Sequence, residues 1–148
     1  SAPNYALPLA ALARSFARLA APLPVDPDFG AAPATLRDAM VAFPEMVSGA
    51  GRPDAALMAA GQGDWVAKVG AEGVQAIGIA SLGIGIAVKV ADGAKRALLP
   101  VVVAVLDQLG LLDAARREAL APYSRPNVLN YRGVVTGTIG SVAELRRQ

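Results

Sequence analysis

Apolar residues recur at helical spacing as Leu9, Leu12, Phe16 and Leu19, with Arg14 and Arg18 on another face. This spacing predicts an amphipathic helix from about Leu7 to Ala20, with Pro8 suited to its first turn. The following run, with Pro22, Pro24 and Pro27, cannot continue a helix and reads as an extended surface loop. A second helix is expected from Ala32 to Phe43, with Leu36, Met40 and Phe43 on its inner face and Pro44 after it. Ser48 to Asp54 reads as a turn, and Asp54 caps or enters the first turn of a short helix through Leu57 and Met58.

The period then changes to two. Strands are predicted at Trp65 to Gly70, Gly73 to Ala80 and Ile84 to Val90, with Ser81-Leu82-Gly83 as a tight turn between the last two. Connections this short produce an antiparallel meander, closed by Asp92-Gly93. A strongly apolar helix begins near Ala94, with Pro100 in its early turns, and Gly110 ends it. A shorter charged helix follows over Asp113 to Leu120. Asn127 to Gly133 reads as loop, Val134 to Ile139 as a last strand, and Ser141 to Gln148 as a tail. Neither repeats nor low-complexity linkers occur. The expectation is therefore one α/β (α+β) unit over residues 1–148, an antiparallel sheet meander packed with helices.

Composition changes this picture in one respect. Of the 148 residues 54% are hydrophobic and only 18% charged, below the roughly 25% usual in globular proteins, so a large apolar surface is expected to meet something. The net charge of +2 is small, the basic residues are scattered, and aromatic residues, 5% of the chain, do not interleave with them. This gives no platform for nucleic acid. Cysteine and histidine are absent, which excludes disulfides, thiol nucleophiles, a Ser-His-Asp triad and an ordinary zinc or haem site made by this chain alone. The uncharged run from Gly73 to Val88 is too short and too glycine-rich to span a bilayer as a helix.

The candidate chemistry lies in Trp65-Val66-Ala67-Lys68-Val69-Gly70-Ala71-Glu72-Gly73-Val74. Alternation puts Trp65, Ala67 and Val69 on one face and Val66, Lys68 and Gly70 on the other. The side chain absent at Gly70 would leave room for a ligand beside the Lys68 ammonium, with the following backbone N–H groups in reach. A solvated lysine at a sheet edge has the same local pattern. Glu72 is a carboxylate partner for Lys68 only if no bulge intervenes at Gly70 or Gly73. Arg52 and Asp54 either position substrate or fix a loop. Lys89 and Asp92 are explained by a strand end and an Asp-Gly turn.

Four blocks, in order, carry a resemblance to a known family. They are Ser1-Ala2-Pro3-Asn4-Tyr5-Ala6-Leu7-Pro8-Leu9, Phe43 to Asp54, Lys68-Val69-Gly70-Ala71-Glu72-Gly73-Val74, and Gly85-Ile86-Ala87-Val88-Lys89-Val90-Ala91-Asp92-Gly93. Together they resemble the carboxy-terminal half of bacterial type II asparaginases of the Rhizobium type. The resemblance implies a partial β-lactamase/glutaminase-like fold, whose amino-terminal half holds a Ser-x-x-Lys motif and lies outside these residues. It also implies a zinc ion held by two cysteines and a lysine upstream, so that zinc enters only through the full-length protein and this chain supplies neither metal ligand nor cofactor. Ser1 and Asn4, beside the family's zinc-binding cysteine, would approach the site or form an exposed terminus.

The activity implied is hydrolysis of L-asparagine to L-aspartate and ammonia, with Lys68 as the catalytic lysine and Gly70 and Ala71 at the substrate. Lysines desolvated or placed beside another cation act as bases or as electrostatic partners of a nucleophile. The backbone N–H of Ala71 is the candidate oxyanion donor. Val69 departs from the β-lactamase pattern, which has a hydroxyl residue there. The partners expected are the small-molecule amide and the amino-terminal half of the same protein, with no nucleic acid and no membrane, in a cytoplasmic protein whose homo-oligomeric state stays open. The alternative is a module of the same fold that binds small amides without turning them over.

Overall fold

The computed structural model describes residues 5–146, so the expectations for Ser1 and Asn4 lie outside the described residues. It is a mixed α/β chain with a three-stranded sheet of order β1-β2-β3 and a two-stranded sheet β4-β5. The chain divides into two compact units, Ser1–Val69 with Ala76–Ala87, and Gly70–Gln75 with Val88–Gln148.

In the first unit, α1 (Leu9–Ala20) starts where the Pro8 carbonyl accepts the N–H groups of Ala11 and Leu12. Two glycines of the sheet decide where this helix lies. A Cβ at Gly85 would fall on the Ala13 carbonyl, and one at Gly78 on the Phe16 carbonyl, so the α1 backbone rests directly on the sheet. Helix α2 (Ala32–Ala42) follows a loop organised by Asp26, then come α3 (Pro44–Ser48) and α4 (Pro53–Gly61). Strand β1 (Trp65–Gly70) begins under α4, where the Trp65 ring fills the space left by the missing side chain of Gly61. Trp65, Val66, Leu57, Ile77 and Ile79 form the core of this unit.

The turn from β2 (Val74–Ile79) to β3 (Ile84–Lys89) is held at Ser81, whose N–H and hydroxyl both donate to the Asp64 carboxylate, at 2.7 and 2.8 Å. Pairing is antiparallel: Ala80 N–H donates to Asp64 O across β1 and β2, and Val90 N–H to Gly73 O across β2 and β3. The division between units runs through β2 and β3.

Asp26 stabilises its loop as a carboxylate. It is buried, and accepts the N–H groups of Asp28 (2.9 Å) and Phe29 (3.1 Å) and the Arg18 guanidinium (2.8 Å). The Asp28 N–H, followed by Arg18 and the Phe29 N–H, outweighs the opposing desolvation and holds the carboxyl below its ordinary value. A folded-state pKa below the unfolded one gives stability that is complete above the unfolded value and lost as pH falls through the folded one. Asp26→Asn is therefore expected to flatten the fall in Tm below about pH 4. Parent and variant falling in parallel there would refute the assignment.

In the second unit, α5 (Leu98–Gln108) follows a single 3-10 turn at Lys95–Ala97. Pro100 is the third helical residue, where its missing N–H costs no intrahelical bond. Leu98, Val102, Val105 and Leu106 are buried, as the nearly all-round apolar pattern requires. Helix α6 (Ala114–Ser124) is capped by Asp113, whose carboxylate accepts the Arg116 N–H at 2.8 Å. It runs past the expected end at Leu120 to Ser124, with Pro122 in its last turn.

The expected loop at Asn127 to Gly133 is corrected by the structure. Asn127–Leu129 is strand β4, paired antiparallel with β5 (Val135–Thr138) through a bulge after Val128. The Asn130 side chain accepts the N–H groups of Arg132 and Val134, and Gly133 has φ 76°, so the five residues from Asn130 to Val134 make the hairpin connection. That turn lacks the Asn-Gly dipeptide by which a hairpin is usually read.

Candidate active site around Lys68

The first three residues of β1 are buried, and the strand opens at Lys68. The Lys68 side chain is 45% exposed, and its ammonium donates to the carbonyl of Val69 at 2.8 Å. The carboxylate beside it belongs to Asp54. Oδ2 of Asp54 lies 3.9 Å from Lys68 Nζ and accepts the Val69 N–H at 3.0 Å, while the Asp54 side chain has no exposed surface.

Asp54 sits there because Pro53 opens α4 and places the acidic residue in the first helical turn, where the helix dipole favours negative charge. One buried carboxylate thus joins the start of α4 to the backbone of β1 and faces the lysine. Asp54→Ala leaves the Val69 N–H without this acceptor, and is expected to cost about 1–3 kcal/mol by urea unfolding. Asp54→Asn keeps an acceptor and should cost less; equal losses for the two would refute the role of this bond.

Lys68 also borders an apolar groove of about 430 Å³. Phe16 and Leu19 of α1, Met40 of α2 and Met46 of α3 line it with the lysine. Here the expectation for α2 is corrected. Met40 is buried, but Leu36 and Phe43 are 53% and 64% exposed and stand on the groove walls. Helical spacing showed that the three share a face; it did not show that this face opens to solvent.

Gly70 ends β1, and the space of its missing side chain is taken by Val74, whose Cβ lies 3.0 Å from the position a Gly70 Cβ would occupy. Ala71 lies in the exposed turn that leads to β2. Glu72 has φ 58°, and its carbonyl accepts from the Lys89 ammonium at 2.6 Å. The Asp92 carboxylate accepts the Ala94 N–H at 2.9 Å and meets Arg96 at 3.1 Å.

Asp54 is the residue whose importance the sequence understated. Its signal was present as an acidic residue after proline at a helix start, but nothing local tied it to the lysine of a strand. Among the described residues no group of three or more His, Cys, Asp or Glu side chains could hold a metal ion. No described helix is long and apolar enough to cross a membrane.

A helix-covered antiparallel sheet presents a lysine, with a buried carboxylate beside it, at the edge of a groove, and the class of the protein, amidohydrolase, comes from its family. The chain belongs to the L-asparaginase II family, whose model matches residues 1–141. No individually curated protein matches it.

Proposed function

We propose that the protein hydrolyses L-asparagine to L-aspartate and ammonia by serine-lysine catalysis, with Lys68 activating a serine of the amino-terminal half. The observation that carries this reading is the Lys68 ammonium held 3.9 Å from the buried Asp54 beside an open apolar groove. Family membership supplies the reaction class.

In this reading the serine oxygen attacks the carboxamide carbon while its proton passes to Lys68 in the neutral amine form, which hands it on to the leaving nitrogen. The C–N bond breaks, the nitrogen leaves as ammonia with that proton, and an acyl-enzyme remains. Water then attacks the ester carbon, the serine recovers a proton, and L-aspartate is released. Asp54 keeps the lysine at the end of β1 through both steps. Lys68 would need only one other group in place, the serine, because its own position is set within this chain.

The exposed apolar walls at Leu36, Phe43 and Met46 support an amino-terminal half that covers the groove and brings the serine to Lys68. Gly70 and Ala71 lie along the substrate in this reading, Ala71 as a backbone donor to the oxyanion and Gly70 through its backbone alone, since Val74 fills the space of its missing side chain. The test is ammonia release from L-asparagine by the 148-residue chain alone and mixed with the separately expressed amino-terminal half. Activity only on mixing supports a divided site. Inactivity of the mixture with both pieces folded would favour a module that binds small amides without hydrolysing them.

A further inference from the structure

A second cavity, of about 430 Å³, lies in the other unit between α5, the end of α6 and the start of the tail. Its floor is apolar, made by Pro100, Val103, Ala104 and Leu112. Its rim is polar, and the rim groups are not equivalent. Asp107 is the single carboxylate, and Arg117 already meets it with two nitrogens, at 3.1 and 2.7 Å. Arg125 lines the same cavity and has neither a hydrogen bond nor an ion pair among the described residues. The rim therefore keeps one uncancelled positive charge.

Two donors stand on that rim. The guanidinium of Arg125 lies over the bare backbone of Gly140, with Nε 3.5 Å from the position of an added Cβ. Ser141 Oγ accepts the Ala143 N–H at 3.1 Å, which leaves the hydroxyl proton to donate elsewhere. The tail that carries Ser141 is clamped by Gln108 of α5, whose amide nitrogen donates to Ala143 O and whose amide oxygen accepts from Leu145 N–H, each at 2.8 Å.

A planar fork and a hydroxyl proton call for an acceptor-only group, one net charge calls for a monoanion, and an apolar floor calls for a hydrocarbon body. We propose that this cavity binds a small monocarboxylate with a branched apolar body, its carboxylate on Arg125 and Ser141 and its body on Val103, Ala104 and Leu112. A phosphate dianion would match neither the single charge nor the apolar floor.

The experiment is titration calorimetry of the full chain with 3-methylbutanoate, its neutral amide and inorganic phosphate, repeated with Arg125→Gln. Saturable millimolar binding of the carboxylate is expected, weakened at least about tenfold both in the amide and in Arg125→Gln, roughly what loss of one charge-assisted contact gives. If Arg125→Gln fails to fold, Ser141→Ala is expected to weaken the carboxylate about fivefold or more. Absence of saturable carboxylate binding, equal affinity in Arg125→Gln, or tighter binding of phosphate would overturn the proposal.

Discussion

Lys68→Ala is expected to lower ammonia release from L-asparagine by the complete protein about 10²- to 10⁴-fold, the range that loss of a positioned proton-transfer group produces. The fold should survive, because the lysine side chain is nearly half exposed and Asp54 keeps its hydrogen bond from the Val69 N–H without it. Tm should stay within about 2 °C of the parent. Lys68→Arg separates two roles of the residue: it keeps a cation facing Asp54 but cannot give up its proton near neutrality. An inactive Lys68→Arg points to proton transfer, and one that retains a large part of the rate points to electrostatic support of the nucleophile. Full activity in Lys68→Ala would remove the lysine from the mechanism.

Gly85→Val should damage the fold itself. The added Cβ would meet the Ala13 carbonyl and lie 2.9 Å from Ala17 N, and both belong to helix backbone that no rotamer change can move. Helix α1 would have to lift from the sheet and give up its close contact there. Side-chain overpacking usually costs 1–3 kcal/mol, and a clash with backbone exceeds that range, so a loss of about 4 kcal/mol or more is expected in urea unfolding. Gly137→Ala is the control, since a Cβ there meets nothing within 4 Å. It should change stability by no more than about 0.5 kcal/mol. Comparable losses for the two glycines would mean that α1 does not rest on Gly85 as described.

The two experiments probe different scales of one design. Gly78 and Gly85 seat α1 on the sheet, α1 supplies Phe16 and Leu19 to the groove, and the groove borders Lys68. A methyl group at Gly85 would therefore disturb activity through the groove wall, while a change at Lys68 would disturb activity alone.

By itself the sequence determined most of the elements. Apolar residues at a period of 3.6 located α1, α2 and α5, and a period of two with Ser-Leu-Gly between runs located the meander, since backbone geometry forces side chains onto one face at those intervals. It also determined that Lys68 stands near the end of β1, because alternation is a local property. What it could not determine depends on contacts between residues far apart in the chain. Strand β4 exists because Asn127–Leu129 finds β5, and three exposed residues have no periodicity from which to be read. Leu36 and Phe43 share the face expected of them, yet only the arrangement of α1, α2 and α3 left that face open as a groove. The pairing of Lys68 with Asp54 was likewise decided by tertiary structure, because a helix start and a strand end meet only when α4 packs beside β1, and no local rule of spacing reaches across that turn.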